Sequence, residues 1–360
     1  MADVSWYMMN GSGESGNTSA GQDYTTISTS LRVRRLSAAK IIVIVKCAFL
    51  VLMAIFGTFG NILTLTAMRR TPRLRTKSNM LLAALSAAHL YMSLVQTPYF
   101  VTFNLWVYVL SDSPCYHLKG IAIMYPIPKI IAHTIYCHFI VIAADRYIAI
   151  IYPLHYETTM TVTVIKCLIG GSYAFGFTVA AVYFSYLQYI NWNVCSIPYS
   201  TVMTAVIDSG VYIAVVLVTA FVYNRILIIA LHHRSKIGHE MTSQIQTISD
   251  PTSDGNSDIV SRIETEKQKM KKKVTEFKAA NMTVVLVCAY TLPLLPYEIG
   301  RIMQACGNMQ SYSGTLIDVG GAIANLNTGF DWIIYGIMNR TFRRAFLRVL
   351  KIKTGDPNSE

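Results

Sequence analysis

The chain has 360 residues, 53% hydrophobic and only 14% charged, with a mean hydropathy of +0.40. That balance excludes an ordinary soluble domain. A formal net charge of +12 would suit a nucleic-acid binder by sign alone. In so apolar a chain it reads as a membrane-orientation and lipid-headgroup signal, so membrane lipids and no nucleic acid are the expected partners.

The first 38 residues are rich in Ser, Thr and Gly and read as a disordered tail. Asn10-Gly11-Ser12 and Asn17-Thr18-Ser19 make Asn10 and Asn17 candidate glycosylation sites. This polar stretch shows no cleavable signal, so the first span is expected to act as its own insertion signal. Crossing a hydrocarbon core of about 30 Å takes roughly 20 apolar residues. Seven stretches qualify, at about 41–68, 79–103, 120–144, 165–188, 203–231, 279–302 and 314–338. Between the fifth and sixth, about 234–270 is polar and turn-rich and reads as a flexible loop. After the seventh, Phe342, Phe346, Val349 and Leu350 recur at helical spacing opposite Arg343, Arg344 and Arg348. That pattern predicts a short amphipathic helix on the membrane surface. The expected fold is an all-α seven-transmembrane helix bundle, with a tail at 1–38, the bundle at 39–339 and the amphipathic helix and C-terminal tail at 340–360.

Basic residues set orientation. Twenty-three of the 31 Lys and Arg fall in the odd-numbered loops and the C-terminal tail. The expected topology therefore puts the N-terminus outside the plasma membrane and the C-terminus in the cytoplasm. Cys115 and Cys195 fall in expected outer loops, where oxidation is allowed, and are paired as a disulfide, leaving Cys306 over. Cys47, Cys137, Cys167 and Cys288 are expected as small buried side chains. No clustered metal ligands, nucleophile motif or phosphate loop stands out, so neither enzyme chemistry, a cofactor nor a metal is expected.

Asp145-Arg146-Tyr147 closes the third span. Charges at membrane depth are costly unless paired or hydrated, and they usually mark working elements. Around this triplet stand Gly60-Asn61 in span one, Ser78-Asn79 opening span two, Pro153-Leu154 after span three, and Tyr223 low in span five. Glu276 and Pro296-Tyr297 lie in span six, and Asp331-Trp332-Ile333-Ile334-Tyr335 ends span seven. This ordered series resembles the rhodopsin-like (class A) G protein-coupled receptors over roughly residues 40 to 350. The resemblance implies an extracellular ligand, a heterotrimeric G protein, and arrestin and receptor kinases as partners. It implies an inner-face switch made of Asp145, Arg146, Tyr147, Tyr223, Glu276 and Tyr335. Arg146 would pair with Asp145 and Glu276 at rest and be freed when span six swings outward, with Pro296 as a hinge. A non-coupling decoy or trafficking protein is the alternative, and a transporter would show internal repeats that this chain lacks.

The pattern is broken in places. His89 stands where the family has the span-two aspartate that binds sodium, and an acid appears instead as Asp331. Asn61, His89, Asn327 and Asp331 form the expected mid-membrane polar site, in which His89 either pairs with Asp331 or bonds to backbone or water. Trp332 replaces the family's span-seven proline, Leu294 its span-six tryptophan and Val215 its span-five proline. The last change and the acidic span-seven motif resemble melanocortin-type receptors. Pro126 and Pro128 are expected to distort the outer turns of span three. Amine receptors carry an aspartate at the position of Pro128, which weighs against an amine held that way, and Asn325 replaces the opsin lysine. The remaining ionisable or polar residues near the outer face are Lys129, Asp208, Tyr297, Glu298, Arg301 and Asp318. They are the candidate ligand pocket, or they pair with one another, Lys129 with Glu298 or Asp208. The ligand class stays open.

Overall fold

The computed structural model describes residues 19–110, 126–189, 202–248, 256–307 and 310–352, and every regular element among them is helical. Span one lies in the helix Ser19–Arg70; span two runs Lys77–Tyr91, continues through a wider turn at Met92–Gln96, and resumes over Thr97–Leu105. Span three is Pro126–Ile151, span four Val162–Tyr189, span five lies in Val202–Ile248 and span six in Asn256–Ala305. Six of these helices are long and apolar enough to cross a membrane. The seventh span is in two pieces, Gln310–Ala324 and Asn327–Met338, each shorter than a full crossing. Short-range bonds close the break, Leu326 N–H to the Ile323 carbonyl at 2.9 Å and Gly329 N–H to the Leu326 carbonyl at 3.0 Å.

The bundle is apolar outside and polar within, as a lipid solvent requires. Span one exposes Ile41, Ile42, Val45, Leu52 and Ile55 while burying Asn61 and Thr64. Leu85, Ile135, Phe139 and Leu286 fill the centre together with Tyr290 and Tyr335. Cys167 and Cys288 face outward rather than inward. Both stand on the outward stripe of an amphipathic span, where a thiol behaves as a small hydrophobe and lipid solvates it.

Helix ends differ from the sequence expectation for identifiable reasons. No Pro or Gly occurs between Gln22 and Phe56, so nothing stops the first helix from reaching back to Ser19, into the stretch read as a tail. The segment read as a loop at 234–270 is mostly helix, because Pro251 and Gly255 both fall between Ile248 and Asn256 and strong helix formers flank them. Pro126 and Pro128 stand in the first described turn of span three, which is regular helix from Pro126 to Ile151. The amphipathic helix spans Arg340–Val349 and starts at Asn339, whose side chain accepts from Thr341 N–H at 2.9 Å. It buries Phe342 and Phe346 and stacks Phe342 on Tyr335 at 5.1 Å.

Trp332, at the family's proline position, packs its indole against span one beside Phe56 and Phe59. A Cβ added at Gly60 would lie 1.8 Å from Trp332 Cδ1, so span one admits this indole only because residue 60 has no side chain. Gly176 serves the same end between spans four and three, where a Cβ would meet the Ile130 carbonyl oxygen at 2.3 Å. Gly60→Ala is expected to cost about 1–3 kcal/mol through overpacking. Thermal unfolding in detergent checks this: Gly60→Ala combined with Trp332→Ala should be less impaired than the two single losses summed.

Candidate functional site

Three polar layers stack along the bundle. At the Arg146 end, Asp145 and Arg146 sit in the penultimate turn of span three, 1% and 7% exposed. Arg146 donates from Nη2 and Nε to Asp145 Oδ2 at 2.6 and 3.1 Å. Ser78 Oγ donates to the same oxygen at 2.7 Å, and the Tyr156 hydroxyl to Oδ1 at 2.8 Å. Asp145 is therefore held from its own helix, from span two and from the short helix Tyr156–Thr159. Charge-assisted bonds of this kind are about twice as strong as neutral ones. Burial, with the Asp145 carboxylate alongside, raises the Tyr156 phenol above its ordinary value and keeps it a donor. Lys77 clamps the same helix through Glu157 at 2.5 Å. A cavity of about 450 Å³ opens here, bordered by Arg146, Lys77 and, from span six, Met282 and Thr283.

The other residues of the expected switch lie around this layer. Tyr147 packs edge-on against Tyr152 at 6.3 Å. The hydroxyls of Tyr223 and Tyr335 are buried without a hydrogen-bond partner among the described residues. Glu276 falls on the span-six helix, but its side chain lies outside the described residues, as do Cys115, Cys195, Asn10 and Asn17.

In the middle layer His89, fully buried, places Nδ1 2.5 Å from Asp331 Oδ2. Tyr290 stacks on the imidazole at 6.1 Å. Asn61 donates to the Gly57 and Thr328 carbonyls at 2.8 and 2.9 Å, and Asn327 to the Tyr290 carbonyl at 2.9 Å. The last bond ties span seven to span six two turns before Pro296. Because the imidazole already answers the Asp331 carboxylate, this donor set does not fit the sodium ion that the family would imply.

At the opposite end a cavity of about 390 Å³ is lined by all six candidate pocket residues, Lys129, Asp208, Tyr297, Glu298, Arg301 and Asp318. Asp208 of span five is the hub: Lys129 pairs with it, Arg301 Nη2 donates at 3.1 Å and the Tyr183 hydroxyl donates at 2.7 Å. Lys129 and Arg301 share Asp208 Oδ2, and His133 Nε2 stands 3.4 Å from Oδ1, the oxygen that Tyr183 bonds. Lys46 pairs with Asp318 at 3.3 Å. Glu298 accepts one bond, from Ser209 Oγ at 2.7 Å. Of the two pairings open for Lys129, the one with Asp208 is formed.

Sequence reasoning missed His133, Tyr183, Ser209 and Lys46 here and Ser78 and Tyr156 at the Arg146 end. Ser78 and Tyr156 flank the motifs it used, so proximity in sequence was an available signal. His133 lies one helical turn past Lys129, on the same face. Nothing local marks Tyr183 or Ser209.

Residues 60–335 match the family described as 7 transmembrane receptor (rhodopsin family). The chain belongs to that family. This G protein-coupled receptor is 24% identical over 314 residues to trace amine-associated receptor 13c of Danio rerio, covering 83% of this chain and 84% of that one. It is 23% identical over 334 residues to 5-hydroxytryptamine receptor 4 of Cavia porcellus, covering 87% and 80%. Octopamine receptor beta-1R of Drosophila melanogaster is 24% identical over 334 residues, covering 86% and 62%. The receptor is thus a multi-pass membrane protein of a receptor family, not of an enzyme family.

Removing one partner of the buried middle pair leaves the other polar group stranded. Asp331→Ala is expected to destabilise the receptor by about 3–5 kcal/mol, while His89→Leu with Asp331→Leu should recover most of that loss. Surface abundance and thermal unfolding of the three variants check it.

Proposed function

We propose that this receptor binds a small amine in the Lys129–Arg301 cavity and passes the signal to a heterotrimeric G protein by outward movement of span six. The cavity end faces outward with the N-terminus, and the Arg146 end faces the cytoplasm, in keeping with the excess of basic residues expected there. The amine class is drawn from the relatives, which are named for trace amines, 5-hydroxytryptamine and octopamine. A cavity of about 390 Å³ suits a ligand of that size.

The observation that carries the coupling reading is the Arg146 guanidinium held on Asp145 beneath a cavity that span six borders. Glu276 is the proposed second partner of Arg146. Movement of span six opens that cavity and gives the guanidinium a new partner on the G protein, with Tyr223 and Tyr335 turning to support the open form. Arrestin and receptor kinases would meet the same open face.

Weakening the clasp should therefore favour the open form. Asp145→Asn is expected to raise ligand-independent G-protein activation about tenfold or more, since a charge-assisted bond is worth about 1.5–3 kcal/mol and 1.4 kcal/mol is tenfold. A sensor panel in cells, at matched surface expression, measures it, and an unchanged basal signal would sink the clasp. Exchanging sodium chloride for N-methylglucamine chloride should leave basal signalling unaltered, as His89 supplies the partner for Asp331.

A further inference from the structure

The cavity offers three carboxylates, and they are not equivalent. Asp208 is bracketed by Lys129, Arg301 and the Tyr183 hydroxyl. Asp318 is met by Lys46 at 3.3 Å. Glu298 is only 3% exposed and accepts a single neutral hydroxyl from Ser209. No cation pairs with it among the described residues, although a carboxylate has room for about four donors.

Burying an acid with so little compensation is costly unless a cation arrives. The surroundings suit one. Tyr297 and Tyr290 line the cavity with Tyr136, and Tyr136 packs edge-on against Tyr290 at 5.9 Å. Aromatic faces attract an ammonium, most strongly where water is excluded. The two fixed cations nearby are both turned onto Asp208, which offsets their repulsion. Pro128 offers no acid from span three.

We propose that Glu298 of span six is the counter-ion that receives the ligand's ammonium group, with Tyr136, Tyr290 and Tyr297 around it. This rests on the amine reading above. Placing the ammonium on span six couples binding to the helix that bears Met282 and Thr283 at the other cavity.

The test uses full-length receptor in cells with G-protein sensors. The probes are 2-phenylethylamine, tyramine, octopamine, 5-hydroxytryptamine and trimethylamine, beside N-acetylated forms of the primary amines and the amino acids phenylalanine, tyrosine and tryptophan. At least one amine should act and its N-acetylated form should not. Glu298→Gln should raise the effective concentration roughly 100-fold or more, as expected for losing one partner of a buried charged pair, while Glu298→Asp should stay within about tenfold. Ser209→Ala tests the same carboxylate without removing it and should change potency less than Glu298→Gln. Surface abundance and the basal signal in an Asp145→Asn background report whether each variant is folded and coupled. An amine response that Glu298→Gln moves by less than about threefold overturns the counter-ion and spares the amine reading. No amine response from a receptor whose Asp145→Asn form signals, or a response to the amino acids alone, overturns both.

Discussion

A bilayer gives a polar side chain no water to turn to, and that constraint organises this protein. Polar residues must face one another, and the chain accordingly gathers them into three layers, each centred on a carboxylate: Asp145, Asp331 and Asp208. Each carboxylate is answered by a cation or an imidazole. Removing two charges from water usually costs as much as their attraction returns. These layers are therefore poor sources of stability and good specifiers of which helix lies beside which.

Span three ties the layers together. It supplies Lys129 and His133 at one end, Phe139 against Tyr290 at 4.7 Å in the middle, and Asp145 with Arg146 at the other end. Around His89 the side-chain atoms Asn61 Oδ1, Ser86 Oγ, Ser93 Oγ and Asn327 Oδ1 lack hydrogen-bond partners among the described residues, as do the Tyr223 and Tyr335 hydroxyls around the Arg146 layer. Buried polar atoms in that state cost free energy, and a rearrangement that pairs them recovers it.

Much of this was legible in the sequence because membrane helices obey a length rule and a polarity rule at once. Asp145, Arg146, His89 and Asp331 stood out as charged or polar residues in apolar runs, and all six expected pocket residues line one cavity. What stayed hidden depended on three-dimensional accidents of approach. Tyr183 and Ser209 look like ordinary span residues until the packing of spans four, five and six sets Tyr183 on Asp208 and Ser209 on Glu298. The break in span seven was equally silent: the family's proline, the usual source of a kink, is replaced by Trp332, yet the helix parts upstream, at Asn325 and Leu326. There the Asn325 side chain bonds back to the Gly321 carbonyl at 2.7 Å, and the indole further on is simply accommodated by Gly60.

That parting has a mechanical consequence. Asp318 and Gly321 belong to one rod and Asp331 and Tyr335 to another, joined by short-range bonds in place of a continuous α-helical ladder. Any torque applied at the Asp318 end would meet a joint at Asn325 and Leu326 before it reached Asp331. The rod that bears Asp331 and Tyr335 is held by the imidazole of His89 and by the ring of Phe342.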